Sequence, residues 1–121
     1  MPQIAIEYSA NLAADFDAPA LALRIHGLIG PTIDTELGNC KTRLREIERW
    51  AIGDGSPDLA MLHVDLRILS GRTAEQKTRL GEAVLGAASE ALGAPKGLKV
   101  QLTVEVRDLD RDHYHKRLIA G

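Results

Sequence analysis

Residues 60–107 contain two alternating segments separated by a helical pattern, and this order constrains the fold more than any other feature. Apolar and polar residues alternate over 60–68 and again over 98–107, which is the period of a β-strand. Between these segments, Thr73 and Gln76 make the capping box that begins a helix, and the stretch from Gly93 to Gly97 ends it. The apolar residues of this helix share one face: Leu80, Val84, Ala87, Ala88 and Leu92.

The first part of the chain predicts the same order of elements without repeating the residues. A short strand after Pro2 has three apolar residues on one side, Ile4, Ile6 and Tyr8. Asp17 is placed to cap a helix, and Pro19 is tolerated in its first turn. Apolar residues then recur at helical spacing over 21–29, and we expect Gly30-Pro31 to end this helix.

The stretch 41–52 has no strict period, so a bulged strand and a helix both remain open for it. Residues 53–57, rich in glycine and ending in proline, predict a turn. With a strand at 41–52, the chain contains two β-α-β units. We therefore expect an α+β fold, with a four-stranded sheet and two helices on one face. The length of 121 residues predicts a single domain over 1–121.

The sheet face away from the helices is predicted to be mixed in character. It is too polar for a buried monomer core and too mixed for an ordinary surface, and we expect it to meet other copies of the chain. Its residues are Ala5, Glu7, Met61, His63, Asp65, Arg67, Thr103 and Glu105.

Composition excludes several classes of function. A net charge of −2 gives no electrostatic reason to expect a nucleic acid or an anionic membrane as partner. No segment predicts a signal peptide or a membrane span. The single cysteine, Cys40, has no partner for an internal disulfide, which favours the reducing cytoplasm. The four histidines are scattered or lie in the tail, and no metal or cofactor motif is present, so we expect neither a metal nor a cofactor.

Pro2 is a candidate general base. If Met1 is trimmed, the chain begins with a secondary amine, and an α-amino group titrates near 8. Burial beside cations lowers that pKa further and leaves a basic neutral nitrogen at physiological pH. If Met1 stays, the nitrogen lies in a peptide bond and has no basicity. The structural alternative is a proline that merely begins a strand.

Arg72 is a candidate anion-binding residue, because it follows a strand and a glycine and precedes a helix. A guanidinium and the first amides of a helix both attract anions, and arginine binds carboxylates with two parallel hydrogen bonds. An ordinary surface arginine is the alternative. The cations Lys41, Arg43 and Arg45 could form a carboxylate site or a solvated strand face.

These residues together resemble 5-carboxymethyl-2-hydroxymuconate delta-isomerase, a branch of the tautomerase superfamily. The segment 54–72 is the most specific part of the resemblance, which covers nearly the whole chain. The residues that carry it are Pro2, Glu7, Ser9-Ala10-Asn11, Trp50, Asp54-Gly55, Asp58, Ala60, His63, Leu66, Ile68, Gly71-Arg72, Glu105 and Leu109.

The resemblance implies a homotrimer that converts a dienol acid to its keto form by moving one proton. By matching position, Pro2 would be the base, and Arg72 would hold a carboxylate of a small unsaturated dicarboxylic acid. Lys41 departs from the family, which has an arginine there, and Arg43 matches another family arginine. Lysine keeps the charge but loses the planar fork. A trimeric relative that binds a ligand without turnover is therefore the competing hypothesis.

Overall fold

Four strands form one mixed sheet, and two helices cover one of its faces. A computed structural model describes residues 1–121. The strands are β1 (Gln3–Ser9), β2 (Lys41–Ile47), β3 (Leu59–Leu69) and β4 (Lys99–Leu109), and the helices are α1 (Ala18–Ile33) and α2 (Ala74–Leu92). The strand order across the sheet is β2-β1-β3-β4. The predicted fold class is confirmed.

The directions of the strands bring four chain segments to one end of the sheet. β1 and β2 are parallel, with Gln3 opposite Lys41, and β1 is antiparallel to β3. β4 is parallel to β3, with Leu109 opposite Leu69. The starts of β1 and β2 therefore lie at the same end as the ends of β3 and β4. We call this the Pro2 end of the sheet.

The core lies between the helices and the covered face of the sheet. Ile4 and Ile6 of β1 are buried, as is every second residue of β3 from Ala60 to Ile68. The apolar stripe predicted for α2 is buried in full, and Thr73 and Gln76 form the predicted capping box. Neither helix combines the length and the apolar character that crossing a bilayer requires.

The prediction that Gly30-Pro31 ends α1 is wrong, because the helix continues to Ile33. Proline removes one main-chain hydrogen bond and crowds the carbonyl four residues earlier, so packing of the last turn must offset this cost. Ile29 and Ile33 are buried on both sides of Pro31 and fix that turn against the core. Asp34, with a φ of 55°, ends the helix instead, and its N–H donates to the carbonyl of Gly30.

Residues 41–47 form a strand, which decides between the two alternatives left open for 41–52. The pairing of β2 with β1 is unbroken from Lys41 to Ile47, so the strand has no bulge. Trp50 and Ile52 lie beyond its end, which explains why the stretch as a whole lacked alternation. The pairing with β1 makes 41–47 a strand, although its side chains show no strict period.

The uncovered face of the sheet carries ion pairs between neighbouring strands. Asp65 on β3 accepts hydrogen bonds from Arg107 on β4, at 3.0 and 2.7 Å, and from Arg67, at 3.1 Å. The hydrogen bonds and charge of Arg107, with a smaller contribution from Arg67, hold the pKa of Asp65 below its usual value. Glu7 and Arg45 approach to 3.7 Å. The polar residues predicted for this face thus pair largely with one another.

The segment that follows β4 returns to the Pro2 end of the sheet. It begins with a one-turn helix at Arg111–His113 and then continues without regular structure. The hydroxyl of Tyr114 accepts a hydrogen bond from the side-chain amide of Gln3 at 2.8 Å, and Lys116 donates to Asn39 at 2.8 Å. These contacts dock the tail against the rest of the fold up to Lys116.

Leu66→Ala tests whether the covered face of β3 carries the stability of the fold. Leu66 is completely buried, so its truncation is expected to lower the free energy of unfolding by about 2–5 kcal/mol. Leu23→Ala, on the exposed side of α1, is the matched control and should change it by less than about 0.5 kcal/mol. Denaturant titration at one fixed protein concentration measures both values, and equal losses would contradict the described core.

Candidate active site at the Pro2 end of the sheet

Pro2 lies where the first two strands begin. Its ring is buried, and its carbonyl accepts a hydrogen bond from the main-chain N–H of Lys41 at 3.2 Å. The antiparallel strand β3 ends beside it, and the link Ser70-Gly71-Arg72 follows directly. The topology therefore brings Pro2, Lys41 and Arg72 to the same end of the sheet, although they are far apart in sequence.

Arg72 is held in position by main-chain carbonyls. Its Nε and Nη2 donate to the carbonyl of Ile33, at 3.3 and 3.1 Å, and its Nη1 donates to the carbonyl of Leu69 at 3.2 Å. Ile33 is the last residue of α1, and its carbonyl has no partner within the helix. Arg72 therefore joins the end of α1 to the end of β3 while its charge has no acidic partner.

Asn39 accepts hydrogen bonds from two lysine ammonium groups beside the amino terminus. Its main-chain carbonyl accepts from Lys41 Nζ at 2.9 Å, and its side-chain oxygen accepts from Lys116 Nζ at 2.8 Å. The latter nitrogen also lies 3.6 Å from the sulfur of Met1. Neither lysine forms a salt bridge with an acidic side chain, because both hydrogen bonds go to neutral oxygens.

A fourth cation, Arg111, comes from the segment after β4. Its main-chain N–H donates to Ser70 Oγ at 3.1 Å, and its Nε donates to the carbonyl of Ser70 at 2.8 Å. Gly71 has a φ of 112°, and a Cβ built there would lie 3.7 Å from the Arg111 guanidinium. Arg111 therefore lies directly against the residue that precedes Arg72.

These cations change the acidity of the amino terminus. Burial and then the charges of the four cations lower the pKa of the α-amino group of Met1 below its ordinary value; in decreasing order of effect the cations are Arg72, Lys41, Arg111 and Lys116. A positive charge disfavours a second one nearby, so the neutral amine is favoured. The site therefore combines a surplus of positive charge with a weakened, and hence more often neutral, amine.

Arg43, the remaining predicted site residue, lies on the uncovered face of the sheet. Its Nη1 donates to the side-chain carbonyl of Gln3 at 2.8 Å. It lines a cavity of about 360 Å³ together with Arg45 and Arg67. The structure thus brings three of the predicted residues together at the Pro2 end, and Arg43 lies two residues further along β2, on the same side of the strand as Lys41. Its role in substrate binding stays a prediction.

Arg111, Lys116 and Asn39 were not predicted from the sequence. For Arg111 a signal was available, because two parallel strands of equal length place the residues that follow them side by side, here 70–72 and 110–112. The approach of His63, Asp65 and Glu105, whose candidate ligand atoms lie within 4.8 Å of one another, was not predicted either. There the carboxylate of Asp65 is already bound by two arginines, and His63 bonds to Thr103 at 2.7 Å.

The site is open in the single chain. Four cavities occur, and neither Pro2 nor Arg72 lines any of them. The largest, of about 550 Å³, lies between α2 and β4, away from the cation cluster.

Comparison with known families identifies this arrangement. The model of the 5-carboxymethyl-2-hydroxymuconate isomerase family matches residues 2–119. The chain belongs to this family. A 5-carboxymethyl-2-hydroxymuconate Delta-isomerase of Escherichia coli is 29% identical over 82 residues, which are 68% of this chain and 65% of that protein. The match therefore spans less than two thirds of the length of that relative.

Solved structures share the fold of this isomerase-family chain. A 5-carboxymethyl-2-hydroxymuconate isomerase from Deinococcus radiodurans R1 superposes with a TM-score of 0.86 and 24% identity, over 96% of this chain and 88% of that chain. A fused 4-OT wild type symmetric trimer superposes with a TM-score of 0.69 and 24% identity, over 89% of this chain and 85% of that chain. The predicted tautomerase-like fold is confirmed by these likenesses.

The pKa of the amino terminus provides a direct test of the cation cluster. In a chain that retains Met1, this pKa is expected to lie below the ordinary value of about 8, and Lys41→Met should raise it because one nearby positive charge is lost. The pH dependence of acylation by a small reagent, followed by mass spectrometry of the first peptide, measures it. Lys99→Met, at the opposite end of the sheet, is the control. An equal pKa in all three proteins would contradict the described cluster.

Proposed function

We propose that the chain, once Met1 has been removed, is a keto–enol isomerase with the nitrogen of Pro2 as general base. Its substrate would be a small unsaturated hydroxy or oxo acid with at least two carboxylates, such as 5-carboxymethyl-2-hydroxymuconate, which has three. Membership of the isomerase family supports the reaction class. The same substrate is named for the Escherichia coli relative.

One observation carries the proposal: the amino terminus lies among four cations that have no acidic partner. Burial and those charges lower the pKa of the terminal amine. Trimming moves the free nitrogen by one residue, onto a proline whose ring is already buried at the same end of the sheet. A base with a pKa near the working pH is the most effective proton carrier, because it is neutral when it accepts and acidic enough to return the proton.

The proposed step moves one proton within the substrate. The Pro2 nitrogen accepts the proton of the enol hydroxyl. The electron pair of the broken O–H bond stays on the oxygen, and the substrate becomes an enolate. The enolate carbon then takes the proton back from the prolinium nitrogen, which gives the ketone and restores the base. Arg72 stabilises the negative charge of the enolate and holds a carboxylate, since its charge is not neutralised by an acid. The reaction needs no cofactor.

Lys41 and Arg43 are proposed to assist substrate binding. Lys41 Nζ is oriented by the carbonyl of Asn39 beside the amino terminus. Arg43 approaches the site through Gln3, the residue that follows Pro2. Lysine acts as a point charge and does not align a carboxylate as an arginine fork does.

We also propose that the working form is a homotrimer. The uncovered sheet face is half-buried at Ala5, Glu7 and His63 in the single chain and carries paired charges. A symmetric assembly would cover this face and add walls to the open site. The symmetric trimer with the same fold supports this arrangement. The enzyme would act in the cytoplasm, in the catabolism of aromatic compounds, where the free Cys40 thiol stays reduced.

Blocking the Pro2 nitrogen tests the mechanism. A trimmed chain should ketonise 2-hydroxymuconate, and a chain that keeps a residue before Pro2 should be slower by about 10²–10⁴-fold, because an amide nitrogen is not a base. Pro2→Ala should also lower the rate greatly and leave the assembly intact. Pro95→Ala, a proline in the α2–β4 link, is the control. Intact mass spectrometry verifies each amino terminus, and full activity of the blocked chain would refute the mechanism.

A trimeric ligand-binding relative without turnover is the second candidate, and Lys41 in place of a family arginine favours it. A binder would be protected against thermal unfolding by enol acids without forming product. Steady-state assays of the trimmed chain with several enol acids therefore separate the two functions. Measurable ketone formation excludes the binder.

The assembly is tested by native mass spectrometry of the trimmed chain. We expect a mass of three chains at micromolar concentration. Asp65→Asn should weaken the assembly, because it removes the carboxylate that pairs with Arg67 and Arg107 on the uncovered face. Glu75→Gln, which removes an exposed ion pair on α2, is the matched control. A single-chain mass at every concentration would contradict the trimer.

A further inference from the structure

We propose that Arg111 and Lys116, from the segment after β4, bind the second carboxylate of the substrate. The inference rests on the proposed function, because it assigns the end of a dicarboxylic acid that Arg72 does not hold. Neither residue was a candidate from the sequence pattern.

The main chain fixes the position of Arg111. β3 and β4 run in parallel to their last pair, Leu69 and Leu109, so the residues that follow both strands leave the sheet side by side. Arg111 is tied to Ser70 by two hydrogen bonds, one from its main-chain N–H and one from its Nε. Its guanidinium consequently lies against Gly71, one residue before Arg72.

The two arginines differ in how many donors they have left for a ligand. Arg72 donates three of its five N–H groups, from Nε and both terminal nitrogens, to the carbonyls of Ile33 and Leu69, and keeps one N–H on each terminal nitrogen for a ligand. Arg111 uses only Nε, and both of its terminal nitrogens are without a protein partner. Its neighbour Asp110 does not neutralise it, since that carboxylate accepts from His113 and from the main chain of Asp112. Arg111 therefore presents the free fork that a carboxylate binds with two hydrogen bonds.

Lys116 adds a second charge next to the amino terminus. Asn39 orients its ammonium group at 2.8 Å, and the sulfur of Met1 lies 3.6 Å from the same nitrogen. Removal of Met1 takes this side chain away and leaves Lys116 facing the space in front of Pro2. The four cations of the site then repel one another without any acid among them, and a doubly charged ligand relieves that repulsion.

Arg111 complements Lys41 at the same end of the sheet. Lys41 supplies charge but no planar fork, whereas Arg111 supplies the fork. A dicarboxylic acid would thus be held by Arg72 at one end and by Arg111 with Lys116 at the other. Selectivity for diacids over monoacids would come from the tail.

Substrate pairs that differ in one carboxylate test the inference. In the trimmed enzyme, Arg111→Met should raise KM for 2-hydroxymuconate by about tenfold or more and change KM for 2-hydroxypenta-2,4-dienoate, a monocarboxylate, by about twofold or less. Arg111→Lys should show an intermediate loss, because the charge is kept and the fork is lost. Arg117→Met, a tail cation outside the cluster, is the control. Equal effects on both substrates would overturn the inference.

Binding of unreactive acids separates this inference from the proposed function. Calorimetry with adipate and hexanoate on the trimmed chain needs no turnover, and Arg111→Met and Lys116→Met should each weaken adipate binding while leaving hexanoate binding unchanged. Arg111-dependent adipate binding without turnover would support the subsite and refute the enzyme. Turnover by the trimmed chain with the same diacid selectivity in Arg111→Met would support the enzyme and refute the subsite. If Arg111→Met does not fold by circular dichroism, Arg111→Lys and Lys116→Met decide the result.

Discussion

The pairing of β1 with an antiparallel β3 is the constraint on which the site depends. It sets the end of β3 beside the start of β1, and the parallel partners on either side extend this to β2 and β4. Pro2, Lys41 and Arg72 meet for that reason alone. A parallel β1–β3 pair would place the link that contains Arg72 at the opposite end of the sheet from Pro2. With a rise of about 3.3 Å per residue, the two would be more than about 20 Å apart.

The same pairing couples stability to chemistry through Arg72. Its guanidinium donates hydrogen bonds to the last carbonyl of α1 and the last carbonyl of β3. These bonds contribute to the stability of the fold and also fix the position of the charge. The immobile charge then acts on the nearby amine through space, together with three cations from other segments. The positive surplus is local, because the chain as a whole has a net charge of −2.

Most of the fold could be predicted from local pattern. The alternation in β3 and β4, the stripe of α2 and the caps at Asp17 and Thr73 depend on neighbours in sequence, and all of these predictions are confirmed. The two weaker points, the end of α1 and the structure of 41–52, depend on contacts with distant residues. Packing of the buried Ile33 keeps α1 helical beyond Pro31, and hydrogen bonding to the edge of β1 holds 41–47 as a strand.

The sequence by itself determined most of the elements, the family and the candidates Pro2 and Arg72, because period, caps and motif spacing are local properties of the chain. Only the tertiary structure decided which cations surround the amino terminus. Arg111 and Lys116 reach it because β4 ends in register with β3 and the tail then folds back over Ser70 and Asn39. Proximity of that kind comes from strand direction and register, which pairing between distant segments sets.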